Sequence, residues 1–368
     1  MKPTLVVSLV EFFSLFPGKP WLVPLLALLL GGPLSTSAQA AQFASGSYTG
    51  NGVDNRAITP VGFQPDVVII KGSTAQLAVM RTATMVGDAS KELSAATALQ
   101  ANRIQSLDPG GFTVGTNAQV NGNGVTYYWV AFRDDGMGQL RIASYAGNGV
   151  DNRSITGVGF TPDYVVVMAE GSKRAVQRSS AMTGDTSFQF DASGPTVNLI
   201  QAFNADGFQV GSDARVNTSG SAYHYVAWKA TAGTMKAGSY AGNGADNRDI
   251  MGAGFRPEYV ILKSNGNDAA VHRPVGLLGD STLLFTASTN LSNVIQALQM
   301  DGFQVGSDVR ANRSGTTYFW LAFGPEVDPG VSLLTITSVN GGANPTAGAG
   351  FPATFRQTGT SRRPLAWP

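Results

Sequence analysis

The sequence contains no cysteine. That excludes disulfides, thiolate metal sites and cysteine nucleophiles together. Histidine is almost as scarce: His224 and His272 are the only two in 368 residues. They fall at unrelated places, so neither serves a repeated catalytic triad and neither stands in a metal-ligand spacing. Charged residues make up only 13% of the chain and nearly cancel, to a formal net charge of +1. A chain so balanced has no strong field for phosphate, and nucleic acid is excluded as an expected partner. After Asp328 only Arg356, Arg362 and Arg363 carry charge, and they read as a solvated tail. There is no Gly-x-Ser-x-Gly elbow and no Walker phosphate loop. Gly50-Asn51-Gly52 lacks the third glycine of a dinucleotide fingerprint. These absences point away from an enzyme, although paired glycosidase carboxylates distant in the chain would leave no such signature.

A hydrophobic run of membrane-spanning length is also missing. Trp21 to Leu30 is an apolar run of ten residues, followed by small and polar residues ending in Ala38-Gln39-Ala40. This reads as a signal peptide over residues 1–40, cleaved before Ala41. The segment is long and carries Glu11, so retention as an anchor is the alternative. The expected location is outside the cell or on its surface, with the periplasm as the other compartment.

Glycine, in contrast, is abundant at 45 residues. With few charges, that composition suits short strands and tight turns better than helices. The chain is organised around Gly50-Asn51-Gly52-Val53-Asp54-Asn55-Arg56, which returns as Gly147 to Arg153 and as Gly242 to Arg248. Tyr48, Tyr145 and Tyr240 mark equivalent places about 95 residues apart. The chain is therefore three copies of one unit, each large enough to bury its own core. The expected boundaries are 41–137, 138–233 and 234–328.

Within a copy, an aromatic entry strand (Gly46-Ser47-Tyr48) leads into the Asn-Gly of the motif, which favours a hairpin turn with positive φ. A Gly-Phe-x-Pro-Asp or Glu segment follows, then continuous apolar runs at Val67 to Ile70, Tyr164 to Met168 and Tyr259 to Leu262. Such runs without alternation predict central strands buried on both faces. Ala78 to Arg81 and its counterparts form a shorter strand. Asp206-Gly207-Phe208 and Asp301-Gly302-Phe303 predict hairpins, preferred over a helix for Asn293 to Met300; the first copy has Gly110-Gly111 there. The closing strands Tyr127 to Phe132, Tyr223 to Trp228 and Tyr318 to Phe323 are aromatic on both faces, which favours core packing over a sugar-stacking platform. The fold class predicted is all-β: three tandem antiparallel β-sandwich, jelly-roll-like modules of seven or eight strands each. A propeller with two blades per repeat is the rival, and it lacks similarity between half-repeats. Linkers Asp134 to Gly138 and Thr231 to Thr234 are short enough that neighbouring modules must touch or nearly touch, which favours a stiff row or a compact trio over flexible beads. Residues 329–368 leave the pattern. Ser332 to Val339 reads as one strand resembling the opening of an immunoglobulin-like module of bacterial surface proteins, and the tail after it is expected to be disordered.

Several motifs together resemble a repeat of phage tail and related bacterial secreted proteins. They are Gly-Phe-x-Pro-Asp before a Val/Ile strand ending in Lys71 or Lys263, Asp206 to Asp213, Asn217 to Gly220, and Tyr225 to Lys229. The resemblance implies a β fold and tail-associated or surface modules, with no catalytic set to carry over.

The strongest candidate ligand-binding residues are Asp54, Asn55 and Arg56 with Asp151, Asn152, Arg153 and Asp246, Asn247, Arg248. Such side chains on a turn offer the forked hydrogen bonds that sugar hydroxyls and carboxylates accept. The same residue types also stabilise turns by bonding their own backbone. A second recurring set is Arg81, Arg178 and Arg273 with Asp88, Asp185 and Asp280, which could equally pair across loops. No cofactor or metal is expected. Calcium on Asp54 or Asp88 would need an alternating Asp/Asn loop that is not present. The leading expectation is an exported non-enzymatic protein that binds a surface glycan or a protein partner. The alternatives are a spacer or assembly module of a tail-like fibre, and a polysaccharide-acting hydrolase.

Overall fold

The computed structural model describes residues 42–324. The signal peptide expected over residues 1–40 and the strand and tail expected over residues 329–368 lie outside them. The first module contains β1 (Gln42–Thr49), β2 (Arg56–Ile58), β3 (Val67–Gly72), β4 (Val79–Thr82), β5 (Lys91–Glu92), β6 (Ile104–Asp108), β7 (Gly111–Val114) and β8 (Thr126–Arg133). A five-stranded sheet has the order β1-β8-β3-β4-β5 and a three-stranded sheet the order β2-β7-β6. Every pairing is antiparallel. The same eight strands recur from β9 (Leu140–Ala146) and β10 (Arg153–Thr156) to β16 (Ala222–Trp228), and from β17 (Met235–Ala241) to β24 (Thr317–Phe323), with the same orders. The fold is thus three tandem β-sandwich modules.

Each hairpin expected from Gly-Phe is present; in the third copy Ile295–Gln299 pairs with Gly302–Val305 where a helix had competed. Glycine is needed there because a Cβ on Gly111, Gly207 or Gly302 would strike the carbonyl of Ile58, Ile155 or Ile250. Two single helical turns, Ala118–Asn121 and Val309–Asn312, were not foreseen.

The apolar run of β3 is central and wholly buried, and its two faces enter two different cores. Val68 and Ile70 join Ile58, Phe112 and Trp129 between the two sheets of their own module. Val67 and Ile69 face the other way, into a core made by all three modules. The closing strands divide likewise: Trp129 and Ala131 pack inward, Val130 and Phe132 toward the shared core. The second and third modules also have private cores. Continuous hydrophobicity therefore arises because the outer face of each five-stranded sheet is covered by its two neighbours.

The shared core is built around an aromatic trio from equivalent positions. The ring centroids of Phe132 and Trp228 are 5.5 Å apart, of Phe132 and Phe323 5.1 Å, and of Trp228 and Phe323 6.0 Å. An apolar gap of about 10 Å³ lies among these side chains. That is at the lower limit for one water molecule, so the axis is a plugged core and not a channel.

Around this core the copies close on one another through equivalent bonds. The amide of Ala78 donates to the carbonyl of Phe285, that of Ala175 to Leu93, and that of Ala270 to Phe190. Three head-to-tail contacts of one kind close a ring with pseudo-threefold symmetry. Of the arrangements the short linkers allow, a row would leave Val67, Ile69 and their counterparts in water; the trio buries them. At two of the interfaces the sealing lysine comes from the central strand. Lys71 Nζ donates to Gly72 O, Thr74 O and, in the third module, Ser288 O at 3.0 Å. Lys263 Nζ reaches Asp191 O and Ser193 O of the second module at 3.0 and 2.8 Å.

The candidate functional site: three braced corners

The repeated motif does not close a hairpin. Strands β1 and β2 belong to different sheets, so Gly50 to Asn55 is a corner that carries the chain across the sandwich. Positive φ falls on Gly52 (70°) and on Asn55 (55°), not on Asn51. The Asn51 side chain instead accepts the amide of Val53 at 3.0 Å, an Asx turn that replaces the expected hairpin geometry. Asn152 and Asn247 occupy the same left-handed region as Asn55, which asparagine tolerates better than most residues.

Each corner is held from below by a fully buried asparagine: Asn121, Asn217 or Asn312. Asn121 Oδ1 accepts the amide of Asn51 at 3.0 Å, and its Nδ2 donates to Val53 O at 2.7 Å. Asn217 and Asn312 make the same pair of bonds. In the first and third modules the unforeseen helical turns end on this residue. The sequence reading does not single these asparagines out as site residues, though their recurrence at a fixed distance from the closing strand is a signal.

The motif arginines face inward. Arg56 Nη1 donates to Thr49 O at 2.6 Å and to Asn121 Oδ1 at 3.2 Å, with the guanidinium 5.2 Å from the Tyr48 ring centre. Arg153 and Arg248 repeat the pattern on Ala146 and Asn217 and on Ala241 and Asn312, over Tyr145 and Tyr240. Burial, more than any neighbour, raises the pKa of those three tyrosines, whose hydroxyls donate to Val120 O, Val216 O and Ala311 O. Asp54 accepts from Asn55 Nδ2 at 2.9 Å and from Gln105 Nε2 at 3.0 Å; Asp151 and Asp246 do the same with Asn152 and Gln201 and with Asn247 and Gln296. What remains on the surface is the rim: Asn51 to Asn55 and the equivalent residues are exposed, with Val53 and Val150 58% and 59% exposed at the tips.

The second arginine set is buried. Arg81 donates to the carbonyls of Gly87 at 2.7 Å and Met85 at 3.2 Å, while Arg178 and Arg273 reach Gly184 and Gly279, each at 2.7 Å. Burial lowers their pKa values, with Asp88, Asp185 and Asp280 opposing. These aspartates do not pair with them as ion pairs among the described residues. Each accepts the amide of a left-handed asparagine, Asn102, Asn198 or Asn293. The arginine therefore fastens a loop from within and the aspartate fastens it from outside.

Among the described residues no three His, Asp or Glu side chains come together as a metal site. His224 lies between Glu170, 3.1 Å away, and Thr84 of the first module, 2.8 Å away. His272 stacks on Phe285 at 4.3 Å. Both histidines are packing elements at or near module contacts.

The model of a family described as a domain of unknown function, DUF7483, matches residues 39–140 and 142–327, and the chain belongs to that family. The break between the two matches falls beside the first linker. No curated protein and no solved structure matches the chain.

Proposed function

We propose that this member of the family is an exported recognition protein, acting by binding and not by catalysis, whose three corners engage a glycan or protein on a surface. The observation that carries this reading is where the corners stand relative to the chain's entry and exit. Gln42 pairs with Arg133 and Phe43 lies 6.4 Å from Phe323, ring centre to ring centre. Phe43, Gln139 just after the first linker, Thr231 and Thr234 of the second, and Gly324 line one small cavity. Entry, exit and linkers thus gather at one end of the strands. Each corner follows the opposite end of β1, β9 or β17, roughly 20–25 Å along the strand. A linear spacer needs its ends apart, whereas a head on a tether needs them together.

Triplication adds avidity when all three corners reach the same surface. Rigid bracing by Asn121, Arg56 and Tyr48 keeps the ordering cost of binding low. The test is binding of the full-length chain to glycan arrays and to whole cells. Replacing Asp54, Asp151 and Asp246 together by alanine should abolish binding with little change in Tm, and unchanged binding would remove the corners from the reading. The arginines are unsuitable probes because their loss loosens the corner itself.

The resemblance to phage tail repeats favours a second reading, an assembly module of a fibre. Light scattering of the full-length chain distinguishes it, since a fibre module should self-associate as concentration rises. A hydrolase would instead release reducing ends from a polysaccharide that the protein binds.

A further inference from the structure

The three modules are not equivalent at one place, the side of the sandwich where the edge strands of the two sheets face each other. In the first and third modules a tryptophan of the closing strand fills this gap, opposite a glycine: Trp129 pairs with Gly46, and Trp320 with Gly238. The glycine is obligatory, because a Cβ at either position would collide with the indole. The second module has Tyr225 opposite Ala143. The smaller ring opens a cleft of about 330 Å³ between β9 and β10. Clefts that hold small ligands begin at about that size, roughly 300–1,000 Å³.

The chemistry of the walls is equally particular. Arg141 and Arg153 both line the cleft, with Ser144, Ser154, Thr156 and the Tyr225 ring, and no carboxylate is among the lining residues. Arg153 spends Nη1 on the corner. Arg141 is exposed and sits beside the Tyr225 hydroxyl, where its charge opposes the effect of burial, which raises that tyrosine's pKa. Asp206, whose charge also acts on Tyr225, is engaged by the amides of Gly157 and Gly159 at 3.0 and 2.6 Å. The counterparts of Arg141 and Ser154 are Ala44 and Ala57 in the first module, and Lys236 and Asp249 in the third. Only the second module combines the smaller aromatic, the exposed guanidinium of Arg141 and the hydroxyls.

We propose that this cleft binds a carboxylate-bearing sugar residue, its acid group against Arg141 and its hydroxyls toward Ser144, Ser154 and Thr156. A guanidinium pairs a planar carboxylate through two parallel bonds, and serine and threonine both donate to and accept from sugar hydroxyls. The inference rests on the recognition reading and assigns it a ligand class and a second contact point.

The test is calorimetric titration of the full-length protein with glucuronate, glucose and inorganic phosphate. Glucuronate should saturate one site with a Kd on the order of 1 mM, and glucose should bind at least tenfold more weakly. The double variant A143G/Y225W imports the pair that the other two modules already fold with, and R141A imports the first module's residue. Each should weaken glucuronate at least tenfold while Tm stays near that of the parent. Absence of glucuronate binding, equal affinity in the filled variant, or equal affinity for glucose overturns the proposal. Phosphate binding as tightly as glucuronate overturns the sugar class and leaves a plain anion site. If glucuronate fails but whole-cell binding persists, only the cleft assignment falls; if arrays and cells both fail, the recognition reading falls with it.

Discussion

Lys91 donates to the carbonyl of Ala169 at 2.8 Å, and so supplies to the second module an ammonium that its own central strand lacks. At the other two interfaces the lysine comes from the strand itself, Lys71 or Lys263; the second module has Met168 at that position. Lys91 enters from the neighbouring module and completes its bonds on Gly171 O and Thr97 O. Each interface thus buries one ammonium among carbonyls, and at one interface it arrives from the opposite side. Burial lowers all three lysines to about 8, so they remain charged at pH 7.

This exchange sets up a cycle of variants. Lys91→Met leaves three carbonyls, that of Ala169 buried, without their shared donor and should cost about 1–3 kcal/mol. Adding Met168→Lys to that variant should restore most of the loss, because the ammonium returns by the route used at the other two interfaces. Met168→Lys alone places two ammoniums in one hole and should destabilise. Urea unfolding of the four proteins measures the coupling, and additive effects would show that the two positions do not share a site.

His272 should make the protein acid-sensitive. Burial pushes its pKa down to about 3, with the nearby Lys71 charge acting in the same direction. In the unfolded chain the ring titrates near the ordinary histidine value, about 6.5. Between those values the unfolded state binds the extra proton, so stability is full above about pH 6.5 and falls as pH drops toward 3. The counterparts of His272 are Met80 and Gln177. His272→Met should therefore flatten the fall in Tm between pH 7 and pH 5; an unchanged slope would assign the sensitivity to His224 or to carboxylates.

Asn217→Ala should loosen one corner without dissolving its module. The variant orphans the amide of Asn148 and the carbonyls of Val150 and Gly211, a loss of about 2–3 kcal/mol. Hydrogen exchange at Asn148 and its neighbours should accelerate, while the equivalent amides Asn51 and Asn243 keep their protection.

The shared core should make unfolding a single event. Phe132→Ala removes one ring of the axial trio and should cost about 3–5 kcal/mol. Because that ring touches both Trp228 and Phe323, calorimetry should show one transition moving down as a whole, not a first-module transition separating from the rest.

Much of this fold could be read from residues. The β3 runs announced burial on two sides, and the Gly-Phe pairs announced the hairpins. What covers the second side was hidden, because Ala78 bonds to Phe285 and Lys71 to Ser288 across some two hundred residues, where local periodicity carries no information. The motif arginine was legible as a forked donor but not as an inward one. Its acceptor, Asn121, is 65 residues away and lies in a helical turn too short to leave a pattern. The cleft was hidden for another reason: it depends on the difference of a few atoms between Tyr225 and Trp129, in strands that otherwise read alike.

With Gln42 and Gly324 gathered beside Asp134 and Thr231, no module of the ring is privileged as first or last. A short bridge between those two residues and a cut at either linker would give a circularly permuted chain with the same contacts. For the same reason the ring could be grafted into a surface loop of an unrelated host, since it would demand almost no separation between the two points of attachment.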